Sequence, residues 1–323
     1  MRAPFDTCSA WDPLNQDASE GKGRRTMAKR TASSARVVAL TEADEDGFRE
    51  QSYLKTVKPR TSNQEALMAA IDTHALTLAV GPAGTGKTYL AVTKAVEAMS
   101  AGRVTRIVIT RPVVEAGESL GFLPGDINEK MDPWMRPIYD ALSDRLGARQ
   151  VRQMTKDGTV EIAPLAYMRG RTISRSFVIV DEAQELSPME WRMVFRRCPS
   201  RWMTLVGDTA QTSSPAGVDD WTAALDPFVG ERFRLHELTV NYRTPKEIAD
   251  YAAEILAHID PQAVVPQAIR ASGVPVQFVP DLEALEHRAA REGLTAVIDA
   301  ENVGDMKGLE FDHVVVVEPD KII

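Results

Sequence analysis

The sequence predicts an α/β fold in which helices cover both faces of a parallel β-sheet, and three observations support this. First, short apolar runs that read as buried strands recur along the chain, at residues 75–80, 104–110, 176–181, 202–208 and 233–238. Second, stretches with apolar residues at helical spacing, such as residues 87–100, lie between these runs. Third, the runs are apolar on both faces, as expected for strands that lie between two layers of helices.

The composition is that of a soluble globular protein with room for two domains. The chain has 323 residues, of which 44% are hydrophobic and 26% charged. Its net charge of −8 argues against bulk attraction to nucleic acid but permits a local basic groove. The only cysteines, Cys8 and Cys198, are far apart, which fits a reducing compartment. Because no apolar run approaches the roughly 18 residues of a membrane span, we expect a cytoplasmic protein with no membrane partner.

Changes in pattern along the chain predict three segments. Residues 1–55 form a tail, residues 56–243 a main α/β domain, and residues 244–323 a smaller α/β domain. The tail contains an acid-free basic run at 21–36, and Met27 within that run reads as a natural start of the chain. In the smaller domain we predict helices at 245–257 and 281–292 and short strands near 274–279, 294–298 and 313–317.

A phosphate-binding loop follows the first predicted strand. Residues 81–88 read G-P-A-G-T-G-K-T, which matches G-x-x-x-x-G-K-[ST], and they begin a predicted helix as the motif requires. Backbone N–H groups of such a loop surround a phosphate chain, and the helix N-terminus adds partial positive charge. Lys87 is expected to reach the β- and γ-phosphates, and the Thr88 hydroxyl to bind Mg²⁺. The predicted nucleotide-binding residues are Gly81, Pro82, Ala83, Gly84, Thr85, Gly86, Lys87 and Thr88.

The run F-V-I-V-D-E-A-Q at 177–184 places two carboxylates at the end of an apolar strand. Adjacent acids repel each other unless a cation or a proton lies between them. We expect this strand to lie beside the strand that precedes the phosphate loop, so that Asp181 holds Mg²⁺. Glu182 is then placed to orient or deprotonate the water that attacks the γ-phosphate. This arrangement favours hydrolysis over a small-molecule phosphotransferase, which must exclude water.

Two glutamines complete the predicted site for ATP and Mg²⁺. In L-V-G-D-T-A-Q at 205–211, an apolar strand ends in Asp208, and the amide of Gln211 is expected to hydrogen-bond the γ-phosphate or the attacking water. Gln64 precedes the first strand on a predicted short helix. Its amide offers the donor and the acceptor that an adenine edge requires.

These motifs resemble the phosphate-starvation-inducible PhoH-like ATPases over about residues 58–184. The segments that carry the resemblance are KPRTSNQEALMAAI, GPAGTGKTYLAVTKAVEAM, ITRPVVEAGESLGFLPGDINEKMDPWMRPIYDAL, EIAPLAYMRGRT and FVIVDEAQ. The resemblance implies a RecA-like P-loop ATPase fold, with ATP sites at 81–88, Asp181 and Glu182. Members of that family are often described as RNA helicases and are thought to form rings, which implies a homo-oligomer.

From about residue 176 to 319 the chain resembles superfamily 1 helicases of the UvrD/Rep and helicase IV kind. The segments concerned include N-Y-R-T-P at 241–245 and MKGLEFDHVVVVEP at 306–319. The resemblance implies that Arg243 approaches the γ-phosphate and that a second RecA-like domain is truncated before its arginine-finger motif. We interpret the chain as a join of two relatives near 171–184, natural or artefactual. We expect slow basal hydrolysis unless a neighbouring subunit supplies an arginine.

Single-stranded RNA or DNA is the predicted macromolecular partner, bound without base specificity. The residues predicted to contact it are Thr110, Arg111, Pro112 and Trp134, with Arg136 beside the indole and further arginines at 192, 196, 197 and 201. Two functions stay open at this point. One is an ATP-driven helicase or translocase, and the other is a nucleotide-dependent binding or assembly switch that does not unwind.

Overall fold

The computed structural model describes residues 56–112, 127–168, 170, 172–200, 202–259, 265–278, 293–306 and 311–322. Contacts between Cα atoms group Leu54–Ile323 in one compact unit. The predicted tail at 1–55, including Met27, and the predicted helix at 281–292 lie outside the described residues. None of the described helices is long and apolar enough to cross a membrane.

The described elements alternate between strands and helices. The helices are α1 (Ser62–Thr73), α2 (Lys87–Ser100), α3 (Ile127–Leu146), α4 (Ala148–Lys156), α5 (Pro188–Arg197), α6 (Trp221–Val229) and α7 (Lys246–Ile259). The strands are β1 (Leu76–Val80), β2 (Arg106–Arg111), β3 (Val160–Pro164), β4 (Ser176–Val180), β5 (Met203–Gly207), β6 (Arg234–Glu237), β7 (Val240–Pro245), β8 (Gln267–Arg270), β9 (Thr295–Ile298) and β10 (His313–Val316).

Six of these strands form one parallel sheet in the order β3-β2-β4-β5-β1-β6. The α/β fold class is therefore confirmed, and the five strands predicted for the main domain are all present. Strand β3 was not predicted, because Glu161 and Pro164 interrupt the apolar run V-E-I-A-P. It lies at the edge of the sheet, where an interrupted apolar pattern suffices.

The expected contact between β1 and β4 is wrong, because β5 lies between them. Leu205 of β5 pairs with Leu78 on one side and with Val180 on the other. Both β4 and β5 are runs of five buried residues, so either could stand next to β1. Since all the strands run parallel, the acidic end of β4 still opens at the same edge of the sheet as the phosphate loop.

Two apolar cores lie on opposite faces of the sheet. One contains residues of α1–α4, such as Leu67, Leu90 and Ile138. The other contains residues of α5 and α6, such as Trp191 and Leu225. Burying each large aliphatic or aromatic side chain contributes about 1.5–3 kcal/mol. Neighbouring residues of one strand point into opposite cores, which explains why the central strands have no polar face.

The later part of the chain contains two separate two-stranded parallel sheets, β7–β8 and β9–β10. Helix α7 and the strands at 295–298 and 313–316 agree with the predictions. The strand predicted near 274–279 is wrong in its described part, because residues 274–278 are exposed and belong to no β-strand, and β8 pairs with β7 instead. Pro275 interrupts that segment and cannot donate to a ladder. The predicted domain boundary after residue 243 falls within β7 and stays a prediction.

Candidate nucleotide-binding site

A cleft of about 460 Å³ opens where the central parallel strands end. It is lined by Ala83, Gly84, Gly86, Lys87, Thr88, Tyr89, Arg111, Pro137, Asp140, Ala141, Asp181, Glu182, Val206, Gly207, Asp208, Gln211 and Arg243. The cleft thus brings together all of the predicted catalytic residues and both predicted metal ligands. Gly81, Pro82 and Thr85 of the predicted loop are not among the lining residues.

The phosphate loop is fitted closely against the chain that follows β6. Gly81 has φ +127°, and a Cβ atom there would lie 2.2 Å from the carbonyl oxygen of Leu238. At Gly84, with φ +77°, a Cβ atom would lie 2.4 Å from Asn241 Oδ1. The backbone N–H of Tyr242 donates to the Gly84 carbonyl at 2.9 Å. Both glycines are therefore required by the left-handed backbone and by the close approach of residues 238–242.

The ammonium group of Lys87 lies over its own loop. It donates to the carbonyl oxygens of Gly81 at 2.5 Å and Pro82 at 2.8 Å. Burial lowers the pKa of Lys87 from its ordinary value, and the nearby carboxylate of Asp208 is the strongest opposing influence. A phosphate chain entering the cleft would supply both the acceptors and the negative charge that this ammonium needs.

Thr88 and Asp181 meet across the sheet edge, where the Thr88 hydroxyl donates to Asp181 Oδ1 at 2.9 Å. The Asp181 carboxyl is buried, and its burial raises its pKa. The neighbouring charge of Glu182 raises it further, whereas the Arg111 guanidinium and the Thr88 hydrogen bond oppose the rise. Hydroxyl and carboxylate oxygens are ligands that Mg²⁺ prefers, and a dication would offset the cost of burying the charge. The residues present therefore fit a magnesium ion.

Glu182 is held at both carboxylate oxygens. Its Oε1 accepts from the Arg111 guanidinium at 3.1 Å, and its Oε2 accepts from Gln184 Nε2 at 2.7 Å. Its backbone adopts the left-handed conformation, with φ 50° and ψ 42°. A residue other than glycine in that region stores about 1–3 kcal/mol of strain, which is typical of functional sites.

Arg111, which was predicted to contact a nucleic acid, lines this cleft, and its contact with a nucleic acid stays a prediction. Its guanidinium, which is about one-tenth exposed, approaches Asp181 Oδ2 at 4.0 Å in addition to its contact with Glu182. The Thr110 and Pro112 side chains are buried, so neither is available to a bound strand. The backbone of Trp134 lies in α3, but its side chain is outside the described residues.

The position of Arg111 could have been found from strand register. Thr110 of β2 pairs with Val180 of β4, which places the next residue on each strand at the same height. From this register, Arg111 is expected beside the carboxylates of Asp181 and Glu182. The sequence alone did not reveal which strand neighbours β2, and so this signal was missed.

Gln211 and Arg243 line the cleft from two different segments. Gln211 Nε2 donates to Asp208 Oδ2 at 2.6 Å in the short helical turn that follows β5. The backbone of Arg243 is fixed by Asn241, whose Oδ1 accepts from the Arg243 N–H at 2.9 Å. The geometry places both side chains where they were predicted, while their roles toward a γ-phosphate stay predictions.

Gln64 lies outside the main cleft. It lines a smaller cavity of about 220 Å³ together with Thr61, Ser62, Asn63, Thr85, Leu238, Thr239, Val240 and Tyr242. Its Nε2 donates to the Thr85 carbonyl at 3.3 Å, and its Oε1 accepts from the Arg60 N–H at 2.9 Å. Both ends of the amide therefore contact the protein, and the proposed contact with an adenine edge stays a prediction.

The fold and the cleft together define the class of this protein. A G-x-x-x-x-G-K-T loop joins a central parallel strand to a helix, and an acidic strand end faces it, which is the arrangement of P-loop NTPases. The family model for PhoH-like proteins matches residues 56–233, more than half of the sequence. The chain therefore belongs to the PhoH-like family. The match continues beyond the join that we expected near 171–184, and a joined UvrD/Rep-like segment finds no confirmation in it.

Similar curated proteins carry the same family name. The chain is 50% identical to a PhoH-like protein of Bacillus subtilis (strain 168) over 165 residues, 51% of this chain and 52% of the relative. Identity is 43% to a PhoH-like protein of Mycobacterium tuberculosis (strain H37Rv) over 203 residues, 61% of this chain and 58% of the relative. The chain thus spans little more than half the length of these curated relatives.

Among solved structures, similarity extends to helicases at low identity. The UvsW helicase from bacteriophage T4 has a TM-score of 0.39 at 10% identity, covering 57% of this chain and 61% of that one. The DUF1998 helicase MrfA bound to DNA has a TM-score of 0.39 at 12% identity, covering 79% of this chain and 39% of that one.

Proposed function

We propose that this protein binds ATP with Mg²⁺ in the cleft at the carboxyl ends of the sheet strands and hydrolyses it. The observation that carries the proposal is the contact between Thr88 Oγ1 and Asp181 Oδ1 at 2.9 Å. It joins the phosphate loop to the acidic strand end at a single point. Membership of the PhoH-like family supports the same reading.

Each of the predicted site residues in the cleft has its own role in hydrolysis. The Lys87 ammonium gives up its hydrogen bonds to two loop carbonyls and instead forms charge-assisted hydrogen bonds to phosphate oxygens. Thr88 and Asp181 hold the magnesium ion, which when bound neutralises charge on the phosphates. Glu182, kept in line by its two hydrogen bonds, accepts the proton of the attacking water. Gln211 and Arg243, which also line the cleft, would stabilise the negative charge that develops on the γ-phosphate.

We propose further that single-stranded RNA or DNA stimulates this hydrolysis. The sequence segments that resemble superfamily 1 helicases motivate this step, as do the exposed arginines Arg192 and Arg196 on α5, which could contact phosphates despite the net charge of −8. A cytoplasmic location, ring-shaped homo-oligomers and a helicase-like second domain after residue 243 belong to the same proposal.

The second candidate function is a nucleotide-dependent binding or assembly switch. One observation favours it: the Arg111 guanidinium pairs with Glu182, and the Lys87 ammonium hydrogen-bonds two carbonyls of its own loop, so a bound nucleotide would exchange these contacts. ATP binding would replace these side-chain contacts. That replacement alone, without hydrolysis, could shift the conformation of the segments that carry Arg111, Glu182 and Lys87.

Measuring ATP turnover with and without poly-U and oligo-dT, at two salt concentrations, separates the two candidates. A helicase or translocase is expected to turn over ATP faster with the single strand, and to lose that stimulation at higher salt because releasing counterions into concentrated salt gains less entropy. A switch is expected to bind ATP tightly with little turnover and to change its oligomeric state. Failure to bind ATP at all would exclude both candidates.

A further inference from the structure

Gln184 is a buried amide whose two polar ends contact two different functional segments. Its side chain is fully buried. Nε2 donates to Glu182 Oε2 at 2.7 Å, and Oε1 accepts from the backbone N–H of Asp208 at 3.1 Å. Because a backbone N–H can only donate, Oε1 must face Asp208 and the NH₂ group must face Glu182. The orientation of the amide is therefore determined by its partners.

The segment after β5 is attached to the acidic motif at further points. The Gln184 carbonyl accepts from the Val218 N–H at 2.7 Å. The neighbouring Glu185 carboxylate is buried and accepts from the Ser213 N–H at 3.0 Å, the Ser213 hydroxyl at 3.1 Å and the Ser214 N–H at 2.9 Å. Residues 208–218 are thus held by the two residues that end the D-E-A-Q-E run.

Two glycines pack closely against Gln184. A Cβ atom at Gly207 would lie 2.7 Å from Gln184 Oε1 and 2.6 Å from the Trp221 ring. A Cβ atom at Gly217 would lie 2.7 Å from the Gln184 carbonyl oxygen. Glycines on both sides therefore let the backbone approach the amide closely.

We propose that Gln184 is a positioning residue that aligns the Glu182 carboxylate for water attack and couples it to the loop that carries Gln211. This inference rests on the ATP hydrolysis proposed above. Hydrogen bonds run from Glu182 through the Gln184 amide to the Asp208 backbone, and the Asp208 carboxylate in turn accepts from Gln211. The water-activating group and the amide at the γ-phosphate end of the cleft are thereby held in one network.

The strained backbone of Glu182 makes such a support necessary. With φ at 50°, this residue holds a conformation that surrounding contacts must impose. Arg111 holds one carboxylate oxygen, and Gln184 is the contact on the other. Without the amide, Glu182 would be free to rotate toward Arg111 and away from the position of the water.

The test uses two substitutions of Gln184 in the full chain. Gln184→Met keeps the volume and removes both hydrogen bonds. Gln184→Glu keeps an oxygen for the Asp208 N–H but places a carboxylate against Glu182. We expect both to lower kcat for ATP by about 10- to 100-fold, since displaced supporting groups cost that much. The KM for ATP and the Kd of a fluorescent ATP analogue should stay within about threefold of the wild-type values, because Gln184 does not bind the nucleotide.

Gln153→Met is the matched control, because Gln153 is exposed on α4 and does not line the cleft. It should leave kcat, KM and Kd unchanged. If Gln184→Met lowers the melting temperature strongly, the Gln184→Glu variant carries the test. A wild-type kcat in a folded Gln184 variant, or a loss of affinity equal to the loss of kcat, overturns the positioning role alone. Absence of ATP turnover in the wild-type chain overturns the proposed function, and the positioning role with it.

Discussion

Lys87→Ala is expected to weaken the binding of ATP by about 10- to 150-fold. The Lys87 ammonium is the cation nearest to the carbonyls of the phosphate loop, and a hydrogen bond from a charged group contributes about 1.5–3 kcal/mol. Because burial already lowers the pKa of this lysine, its removal should cost the unliganded fold little. Equilibrium titration with a fluorescent ATP analogue measures the effect, and the melting temperature reports on folding.

Lys156→Ala is a suitable control for this measurement, because Lys156 is exposed at the end of α4. It should bind the analogue as the wild-type chain does. Equal affinities for ATP in the Lys87→Ala variant and the wild-type chain would show that the nucleotide does not contact this loop.

Glu182→Gln is expected to lower kcat by about 10²- to 10⁴-fold while ATP binding persists, because a positioned general base contributes that factor. Glutamine keeps the shape of the side chain and can still accept from Arg111, but it cannot take a proton from water. Single-turnover measurements with saturating enzyme separate the chemical step from product release.

The control for Glu182 is Glu254→Gln, a removal of one carboxylate from the exposed surface of α7. We expect it to turn over ATP at the wild-type rate. A Glu182→Gln variant whose single-turnover rate remained within about threefold of the wild-type value would exclude Glu182 as the base.

Local features of the sequence were enough to locate most of the site. The phosphate loop is a contiguous motif, and its place between an apolar run and a helical pattern determines its geometry. Asp181 and Asp208 follow buried strands, and the ends of parallel strands meet at one edge of a sheet. For Asp181 and Asp208, predicting the strand was enough to predict that the side chain lies at the carboxyl end of the sheet.

The features that sequence reasoning missed depend on contacts between distant segments. The order of β4 and β5 is not encoded in either strand, because both are fully buried and equal in length. Arg111 joins Glu182 across 71 positions of sequence, and Gln184 joins Asp208 across 24. Such contacts follow only once the strand order and register are known. Residues 183–185, which follow Asp181 and Glu182, were therefore given no role of their own, although Gln184 and Glu185 connect two motifs.

The phosphate loop also packs against a distant segment, the chain that follows β6, which the loop sequence does not reveal. Nothing in G-P-A-G-T-G-K-T reveals that Gly84 must leave room for Asn241. The side chain of Asn241 accepts from the backbone N–H groups of Arg243 at 2.9 Å and Thr244 at 3.0 Å, so it shapes the turn that brings Arg243 to the cleft. The loop and this turn are thus fitted to each other through residues that carry no nucleotide-binding motif.

Calorimetric titration of ATP into the wild-type chain and into Asp181→Asn, each with and without Mg²⁺, tests most directly whether one nucleotide is shared by the phosphate loop and the acidic strand end. We expect one ATP per wild-type chain, bound more tightly when Mg²⁺ is present. In the Asp181→Asn variant the gain from Mg²⁺ should largely disappear, because the ion loses its buried carboxylate ligand. An equal gain from Mg²⁺ in both proteins would contradict a magnesium site formed by Thr88 and Asp181.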